Sequence, residues 1–296
     1  MMDIAAKQLP AISRLFSSSV IREMARKEKS PLFARLAKQS GLADSLPRTA
    51  RVRNLFDAAF SLLRQPGFRH EYIYKAALTK NILLGKHSLR TASVLTEFRA
   101  GECKVDLAIL NGTATAYEVK SERDSLIRLE RQMAAYSRVF ARVYVIAAES
   151  HVEAVWASVP EDIGILCLNN RHYISVLRQA EDRADRTSPE AIFESIRTYE
   201  ARMILSSLGY QIPVVPNTEL NSLLRQLFID LAPRDAHNGM VKVLRQTRSS
   251  IALADLVDEL PCSLQMAALS VTLRKMDHRR LITAVNTSIE TAMCWC

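Results

Sequence analysis

The chain has 296 residues, 48% of them hydrophobic and 24% charged, which is the composition of an ordinary globular protein. No apolar run approaches the ~20 residues that a transmembrane helix needs, which excludes a membrane protein and makes the cytoplasm the expected location. The five cysteines are scattered along the sequence, so we expect free thiols in a reducing compartment and not a disulfide framework.

The net charge of +9 is concentrated near the N-terminus. Residues 1–53 contain 11 lysines and arginines against 4 acidic residues, whereas residues 187–296 contain 11 of each kind. A basic segment favours binding to a polyanion such as nucleic acid, because the neutralisation of phosphates drives non-specific affinity. A solvated basic surface without a partner is the alternative interpretation.

The N-terminal region is predicted to be helical over residues 1–66. Its apolar spacing predicts three helices, over 12–25, 32–38 and 51–65. Pro31, Gly41 and Pro47 interrupt them, as expected for residues that end or break helices.

The most informative stretch, residues 104–120, is typical of two short strands joined by Asn111-Gly112-Thr113. A three-residue hairpin loop with a residue at positive φ would place Asp106 opposite Glu118 on one face. Two carboxylates with Cβ atoms ~5 Å apart repel each other unless a proton or a cation lies between them. A hard divalent cation prefers such oxygen ligands, so the pattern predicts a metal site with Lys120 on the same face.

The predicted register depends on the loop, because a two-residue Asn111-Gly112 turn would move Glu118 to the other face. The apolar pattern favours the three-residue loop. It gathers the bulky side chains on the face opposite the acids, namely Val105, Leu107, Ile109, Tyr117 and Val119. The acid face then carries small residues that would leave room for a ligand, namely Ala108, Ala114 and Ala116.

Residues 122–140 are predicted to form a helix, and residues 142–146 the next strand. Gln132 and Tyr136 share one face of that helix with Arg128, since the three recur every four positions. The sequence here resembles the PD-(D/E)XK phosphodiesterase superfamily of restriction, recombination and repair nucleases. The resemblance consists of Asp106, then Glu118-Val119-Lys120, then a helix with the Gln-x-x-x-Tyr motif. The helix motif resembles that of the superfamily's RecB-type exonuclease modules. The resemblance covers residues 68–150, with Val105 in place of the proline in the family name.

The resemblance implies a restriction-endonuclease-like mixed sheet flanked by helices, with Mg²⁺ or Mn²⁺ as the cofactor. The implied metal ligands are Asp106, Glu118 and the Val119 carbonyl. Lys120 would orient or activate the attacking water, Gln132 would position the phosphate or the lysine, and Tyr136 would support it. Superfamily members often add an upstream acid, for which Glu71 in a helical segment and Glu97 in a strand are available. The alternative for each glutamate is an ordinary surface acid.

The α/β domain is predicted to extend over residues 67–186 and to close with a hairpin around Asn169-Asn170-Arg171. Residues 187–296 form a mostly helical C-terminal domain, whose first helix starts at Ser188-Pro189 and is expected to reach Leu208. Later helices over 251–260 and 264–276, followed by Arg279-Arg280-Leu281-Ile282, resemble the helix-turn-helix and wing entry of winged-helix domains. A helical bundle or a protein-interaction module is the alternative, and the zero net charge of the domain favours it.

These patterns predict a metal-dependent nuclease, with DNA as the expected substrate and a second copy or a protein partner bound through the C-terminal domain. The sequence contains no phosphate-binding loop, no dinucleotide motif and no nucleophile elbow, which leaves phosphodiester hydrolysis as the enzymatic hypothesis. Two alternatives stay open. One is a catalytically inactive nuclease fold that binds nucleic acid or a protein, and the other is a DNA-binding regulator that acts through the C-terminal domain. By resemblance, the biological context is a bacterial or prophage protein of DNA repair, mobile elements or phage defence.

Overall fold

The computed structural model describes residues 8–296 and divides the chain into two compact units. Unit 1 contains residues 8–85, 170–172 and 252–296, and unit 2 contains residues 86–169 and 173–251. None of the helices in this described range is long and apolar enough to cross a membrane. All five cysteines are free thiols, as predicted.

The regular elements described below are α-helices and the strands of one six-stranded sheet. The helices are α1 (Leu9–Arg14), α2 (Ser18–Lys27), α3 (Pro31–Ser40), α4 (Val52–Leu63), α5 (Glu71–Leu78), α6 (Leu84–Lys86), α7 (Leu129–Ser137), α8 (Val152–Ser158), α9 (Pro189–Ser195), α10 (Thr198–Ser207), α11 (Asn217–Ile229), α12 (Pro233–Thr247), α13 (Ala254–Glu259), α14 (Cys262–Leu269), α15 (Lys275–Asn286) and α16 (Ile289–Met293). The strands are β1 (Ser93–Ala100), β2 (Cys103–Asn111), β3 (Thr113–Lys120), β4 (Arg142–Ala147), β5 (Gly164–Leu168) and β6 (Ile174–Arg178).

Unit 1 joins helices from the two ends of the chain. Helix α15 packs against α2 and α4. The backbone N–H of Val52 donates to the Thr287 carbonyl at 3.0 Å, and the N–H of Ile289 donates to the Ala50 carbonyl at 2.9 Å. The last helices therefore belong with the N-terminal region. The predicted division into three domains, at residues 66 and 186, does not match these two units. Apolar spacing shows that a helix has a buried face, but it does not show which core buries that face.

Helices α9 to α12 lie in unit 2 and not in a separate C-terminal domain. Phe193, Ile204 and Met240 pack in the same core as Val105 and Val145 of the sheet. Residues 187–296 are helical, as predicted, and they contain no β-strand that could form the wing of a winged-helix domain. The predicted wing is wrong, since Arg279-Arg280-Leu281-Ile282 lies inside α15.

The sheet is mixed and flanked by helices, which confirms the predicted fold class. Its strands lie in the order β1-β2-β3-β4-β5-β6. The β1–β2, β2–β3 and β5–β6 pairs are antiparallel, whereas β3–β4 and β4–β5 are parallel. Helix α7 forms the crossover between β3 and β4, as a parallel pair requires. Gly112, at φ +71°, supplies the left-handed residue of the β2–β3 hairpin.

Both faces of the central hairpin are buried. The bulky residues Leu107 and Tyr117 are 0% and 6% exposed, but Ala108, Ala114 and Ala116 are fully buried as well. These alanines lie in the core that packs beneath α7 and α12. The prediction that they leave room for a ligand is therefore wrong. The space beside these small side chains is filled by the packed helices.

Candidate functional site

The candidate site lies where β2 and β3 separate. Leu110 pairs with Ala114, and Ala108 pairs with Ala116, which confirms the predicted register. The ladder ends at Leu107 and Tyr117, one position short of the two acids. There Asp106 turns its carboxylate onto the neighbouring strand, and its Oδ2 accepts a hydrogen bond of 2.8 Å from the backbone N–H of Val119. The Asp106 side chain thus takes the place of the backbone hydrogen bonds of the β2–β3 ladder at the level of Asp106 and Glu118.

Glu97 interrupts the other edge of β2 at the same level. Thr96 pairs with Leu107 and Phe98 pairs with Val105, so Glu97 faces Asp106 without joining the ladder. Its φ of +52° is a left-handed conformation. For a non-glycine residue such a conformation costs ~1–3 kcal/mol and is concentrated at functional sites. One carboxylate oxygen of Glu97 and one of Asp106 lie within 4.8 Å of each other.

Glu118 and Lys120 form a buried ion pair. Their side chains are only 4% and 5% exposed, and Lys120 Nζ lies 2.9 Å from Glu118 Oε1. Gln132 of α7 bridges the pair, because its Oε1 accepts from Lys120 Nζ at 2.8 Å and its Nε2 donates to Glu118 Oε1 at 2.5 Å. The lysine ammonium is therefore held in one place by two oxygen acceptors.

Tyr136 completes this network from the next turn of α7. Its hydroxyl lies 2.6 Å from the Lys104 carbonyl oxygen and 2.8 Å from Glu118 Oε2. Burial, followed by the neighbouring Glu118 carboxylate, raises the pKa of the phenol far above its ordinary value. The hydroxyl therefore stays protonated and acts as a donor that fixes the Glu118 carboxylate.

The predicted helix started at residue 122, but α7 begins only at Leu129. Before it, Asp124 Oδ2 accepts from the Ser121 N–H at 2.8 Å and from the Ser121 hydroxyl at 2.6 Å. This local turn competes with helix formation, which is the usual effect of serine and aspartate side chains. The predicted common face of Gln132 and Tyr136 is present, whereas Arg128 occupies the exposed N-cap position.

Glu71, the other upstream acid, belongs to unit 1. It is the first residue of α5, its side chain is 51% exposed, and it forms an ion pair with Lys75 one turn later. Its role as a metal ligand stays a prediction, as does that of the Val119 carbonyl.

Two chemical environments lie side by side in unit 2. The Glu97 and Asp106 carboxylates supply oxygen donors, which fit Mg²⁺ or Mn²⁺. The buried Lys120 supplies a positive charge that Glu118 and Gln132 orient. An ammonium held in a site of low dielectric stabilises negative charge better than one in water. The arrangement suits a reaction that develops negative charge on an oxygen.

Two contacts of the site were not predicted, the Lys104 carbonyl at Tyr136 and the Val119 N–H at Asp106. Both use backbone atoms, which every residue carries, so no residue type indicates them. Glu97 was predicted as a candidate ligand, but its left-handed backbone conformation was not, because glutamate is uncommon in that conformation.

The fold and the site define an α/β protein whose mixed sheet carries a lysine–carboxylate network at the opening between two strands. The chain belongs to the family of Bacteriophage P4 protein cII, whose family model matches residues 65–257. This match includes every candidate site residue named above. Protein cII of Enterobacteria phage P4 is 33% identical over 86 residues, which are 28% of this chain and 33% of that protein. The chain thus matches about a third of the length of this relative. No solved structure matches the chain.

Proposed function

We propose that this chain is a metal-dependent nuclease of the PD-(D/E)XK type that hydrolyses phosphodiester bonds in DNA. The observation that carries the proposal is the buried Lys120, which Glu118 and Gln132 hold beside the strand opening where Asp106 and Glu97 meet. The order of β2, β3, α7 and β4 supports it, because the motif residues occupy the elements that the resemblance implies.

In the proposed mechanism, side chains of α7 hold the acting residues of β3 in place. Lys120 orients the attacking water and stabilises the negative charge that develops on the phosphate oxygens. Gln132 holds the lysine because its Oε1 accepts a hydrogen bond from Lys120 Nζ at 2.8 Å. Tyr136 holds Glu118 in turn through its hydroxyl. A lysine confined by two acceptors loses less entropy when it binds a phosphate than a mobile one.

Asp106 and Glu97 would hold Mg²⁺ or Mn²⁺, with Glu118 and the Val119 carbonyl as further ligands. When bound, the cation supplies Lewis-acid stabilisation of the phosphate charge. Asp106 is already positioned for this role by the Val119 N–H, which fixes one carboxylate oxygen. The left-handed backbone of Glu97 is consistent with a carboxylate that is aimed at Asp106.

The proposed site of action is the cytoplasm, with DNA as the partner. The alternative function is an inactive nuclease fold that binds nucleic acid or a protein. The Lys120–Glu118 ion pair is compatible with both functions, since an inactive protein also needs to satisfy a buried lysine. Only a cleavage measurement separates the two.

The test is nuclease activity of the purified full chain on linear, circular and single-stranded DNA and on RNA, with Mg²⁺, Mn²⁺ or a chelator. Lys120→Ala and Asp106→Asn are expected to abolish cleavage. Lys104→Ala is the matched control, because it removes an exposed lysine on β2 but keeps the backbone carbonyl that Tyr136 contacts. Cleavage that persists in Lys120→Ala would contradict the mechanism. Binding without cleavage, unaffected by the chelator, would support the alternative.

A further inference from the structure

Two basic segments about 250 residues apart in sequence meet in unit 1. Helix α2 lies near the N-terminus, α15 lies near the C-terminus, and the two pack against each other. The Arg280 guanidinium donates to the Arg26 carbonyl at 3.2 Å, which joins the end of α2 to the middle of α15. Both helices lie outside the residues matched by the family model.

The side chains that these helices expose are mostly basic. On α2 and directly after it the exposed cations are Arg22, Arg26, Lys27 and Lys29. At the start of α15 they are Arg274, Lys275 and Arg279. We call these seven residues the α2–α15 basic surface. The buried faces of the same helices are apolar, with Met24 on α2 and Leu281 on α15, so the basic side chains face solvent.

The two helices and the residues that flank them contain three acids, of which two are engaged in local structure. Glu23 Oε2 accepts from the Ser30 hydroxyl at 2.6 Å and from the Leu32 N–H at 3.2 Å. Asp277 is buried and caps α15 by accepting from the Arg274 N–H at 2.8 Å. Glu28, at the C-cap of α2, is the exposed acid among these. On these two helices and the residues that flank them, seven exposed cations therefore stand against one exposed acid.

The absence of exposed rings indicates which polyanion suits this surface. Proteins that bind single strands stack bases on exposed aromatic side chains. In residues 8–85, 170–172 and 252–296, the large exposed apolar side chain near the basic surface is Met276, at 68%, and no aromatic ring is comparably exposed. Contacts with phosphates alone suit a duplex, whose backbone has a regular high charge density.

We propose that the α2–α15 basic surface binds the phosphate backbone of double-stranded DNA. This inference rests on the proposed function for its choice of partner, since it names the part of the chain that holds the substrate of the nuclease. It does not require cleavage, because phosphate binding by arginine and lysine is independent of the chemistry at Lys120.

The test compares two sets of three substitutions in the full chain. Arg26→Gln, Lys275→Gln and Arg279→Gln together neutralise the surface. Arg202→Gln, Arg234→Gln and Lys242→Gln are the matched control, because they remove the same charge from exposed positions of unit 2. Binding of a labelled duplex is measured by fluorescence anisotropy in chelator across a series of salt concentrations, so that cleavage cannot interfere.

Neutralising three phosphate contacts is expected to reduce the slope of log K against log salt by about 2 to 3 and the affinity at low salt by roughly 100-fold. The control set is expected to leave the slope within about 0.5 of the wild type. An unchanged slope in the first set, equal losses in both sets, or tighter binding to a single strand than to a duplex would overturn the proposal. Lys275→Gln with Arg279→Gln alone, which leaves α2 intact, is expected to reduce the slope by about 1 to 2. Duplex binding by a wild-type chain that shows no cleavage with Mg²⁺ or Mn²⁺ would contradict only the nuclease proposal.

Discussion

The Asp106 carboxylate accepts a hydrogen bond from the backbone N–H of Val119, and this one contact replaces the next rung of the β2–β3 ladder. The strands separate at the level where Asp106 and Glu118 would otherwise stand directly opposite each other. Asp106 is therefore available to two tasks at once. One carboxylate oxygen satisfies a backbone donor, and the group as a whole remains beside Glu97.

These two tasks can be separated by substitution of Asp106. Asp106→Asn keeps an oxygen acceptor for Val119 and should change the free energy of unfolding by less than about 1 kcal/mol. Asp106→Ala leaves a buried N–H unsatisfied and should cost about 1–3 kcal/mol. Both should lose Mn²⁺ binding, measured by thermal shift, because each removes the carboxylate charge. Mn²⁺ binding by Asp106→Asn equal to that of the wild type would argue against a metal ligand at this position.

Tyr136 holds the Glu118 carboxylate, and the proposed mechanism gives it no contact with the substrate. Tyr136→Phe keeps the buried ring but removes the hydroxyl that contacts Glu118 and the Lys104 carbonyl. We expect the cleavage rate to fall about 10–100-fold, as for other residues that orient a ligand, with duplex affinity unchanged. Single-turnover cleavage and anisotropy measured on the same preparation provide the check. A loss of affinity equal to the loss of rate would indicate a direct substrate contact instead.

A second buried ion pair stabilises unit 2. Glu200 is 0% exposed, and its carboxylate accepts from Arg248 Nε at 2.8 Å and from the Arg248 terminal nitrogen at 2.6 Å. The guanidinium also lies 5.3 Å from the centre of the Phe98 ring. Glu200→Ala should cost about 1–3 kcal/mol in urea unfolding, since it leaves the Arg248 guanidinium, 20% exposed, and the Arg197 N–H without their acceptor. Glu190→Ala, at the exposed pair with Arg225, is the control and should cost about 1 kcal/mol or less.

The Glu200 pair also predicts an acid dependence of stability. Burial raises the pKa of this carboxyl, but the hydrogen bonds from Arg248, the Arg197 N–H and Thr247 and the charge of Arg248 together outweigh burial, so the pKa lies below its ordinary value of 4.5. The contribution is present above pH 4.5 and is lost as the pH falls through the folded-state pKa. We expect Glu200→Gln to show a shallower loss of stability below that pH than the wild type. Identical slopes would mean that the pair does not govern acid unfolding.

His172 is expected to destabilise unit 1 in mild acid. Burial, together with the positive charges of Arg64, Arg69 and Lys80, lowers its pKa from 6.5 to about 4. The unfolded chain takes up the proton first as the pH falls, so stability present above pH 6.5 decreases towards pH 4. His172→Asn should remove this dependence, because asparagine tolerates the left-handed φ of +64°. An NMR titration of the imidazole that gives a pKa near 6.5 would contradict the prediction.

The hairpin was predictable because its determinants are local. A glycine in the loop and the alternation of apolar side chains select one register, and the structure has that register at Leu110–Ala114 and Ala108–Ala116. The spacing of Gln132 and Tyr136 likewise places both on one helix face at any helix length that includes them. What the pattern missed is non-local. The same alanines suit a ligand pocket or a close-packed helix, and only the position of α7 and α12 distinguishes the two.

The sequence by itself determined the elements that depend on neighbouring residues: the hairpin, the motif residues along β2, β3 and α7, and the positive charge near the N-terminus. Only the tertiary structure decided that the ends of the chain share unit 1, that α9 to α12 pack with the sheet, and that α2 and α15 form one basic surface. The physical reason is that apolar burial is not directional. It requires each amphipathic helix to find a core, but the choice of core depends on the shapes of all the other elements.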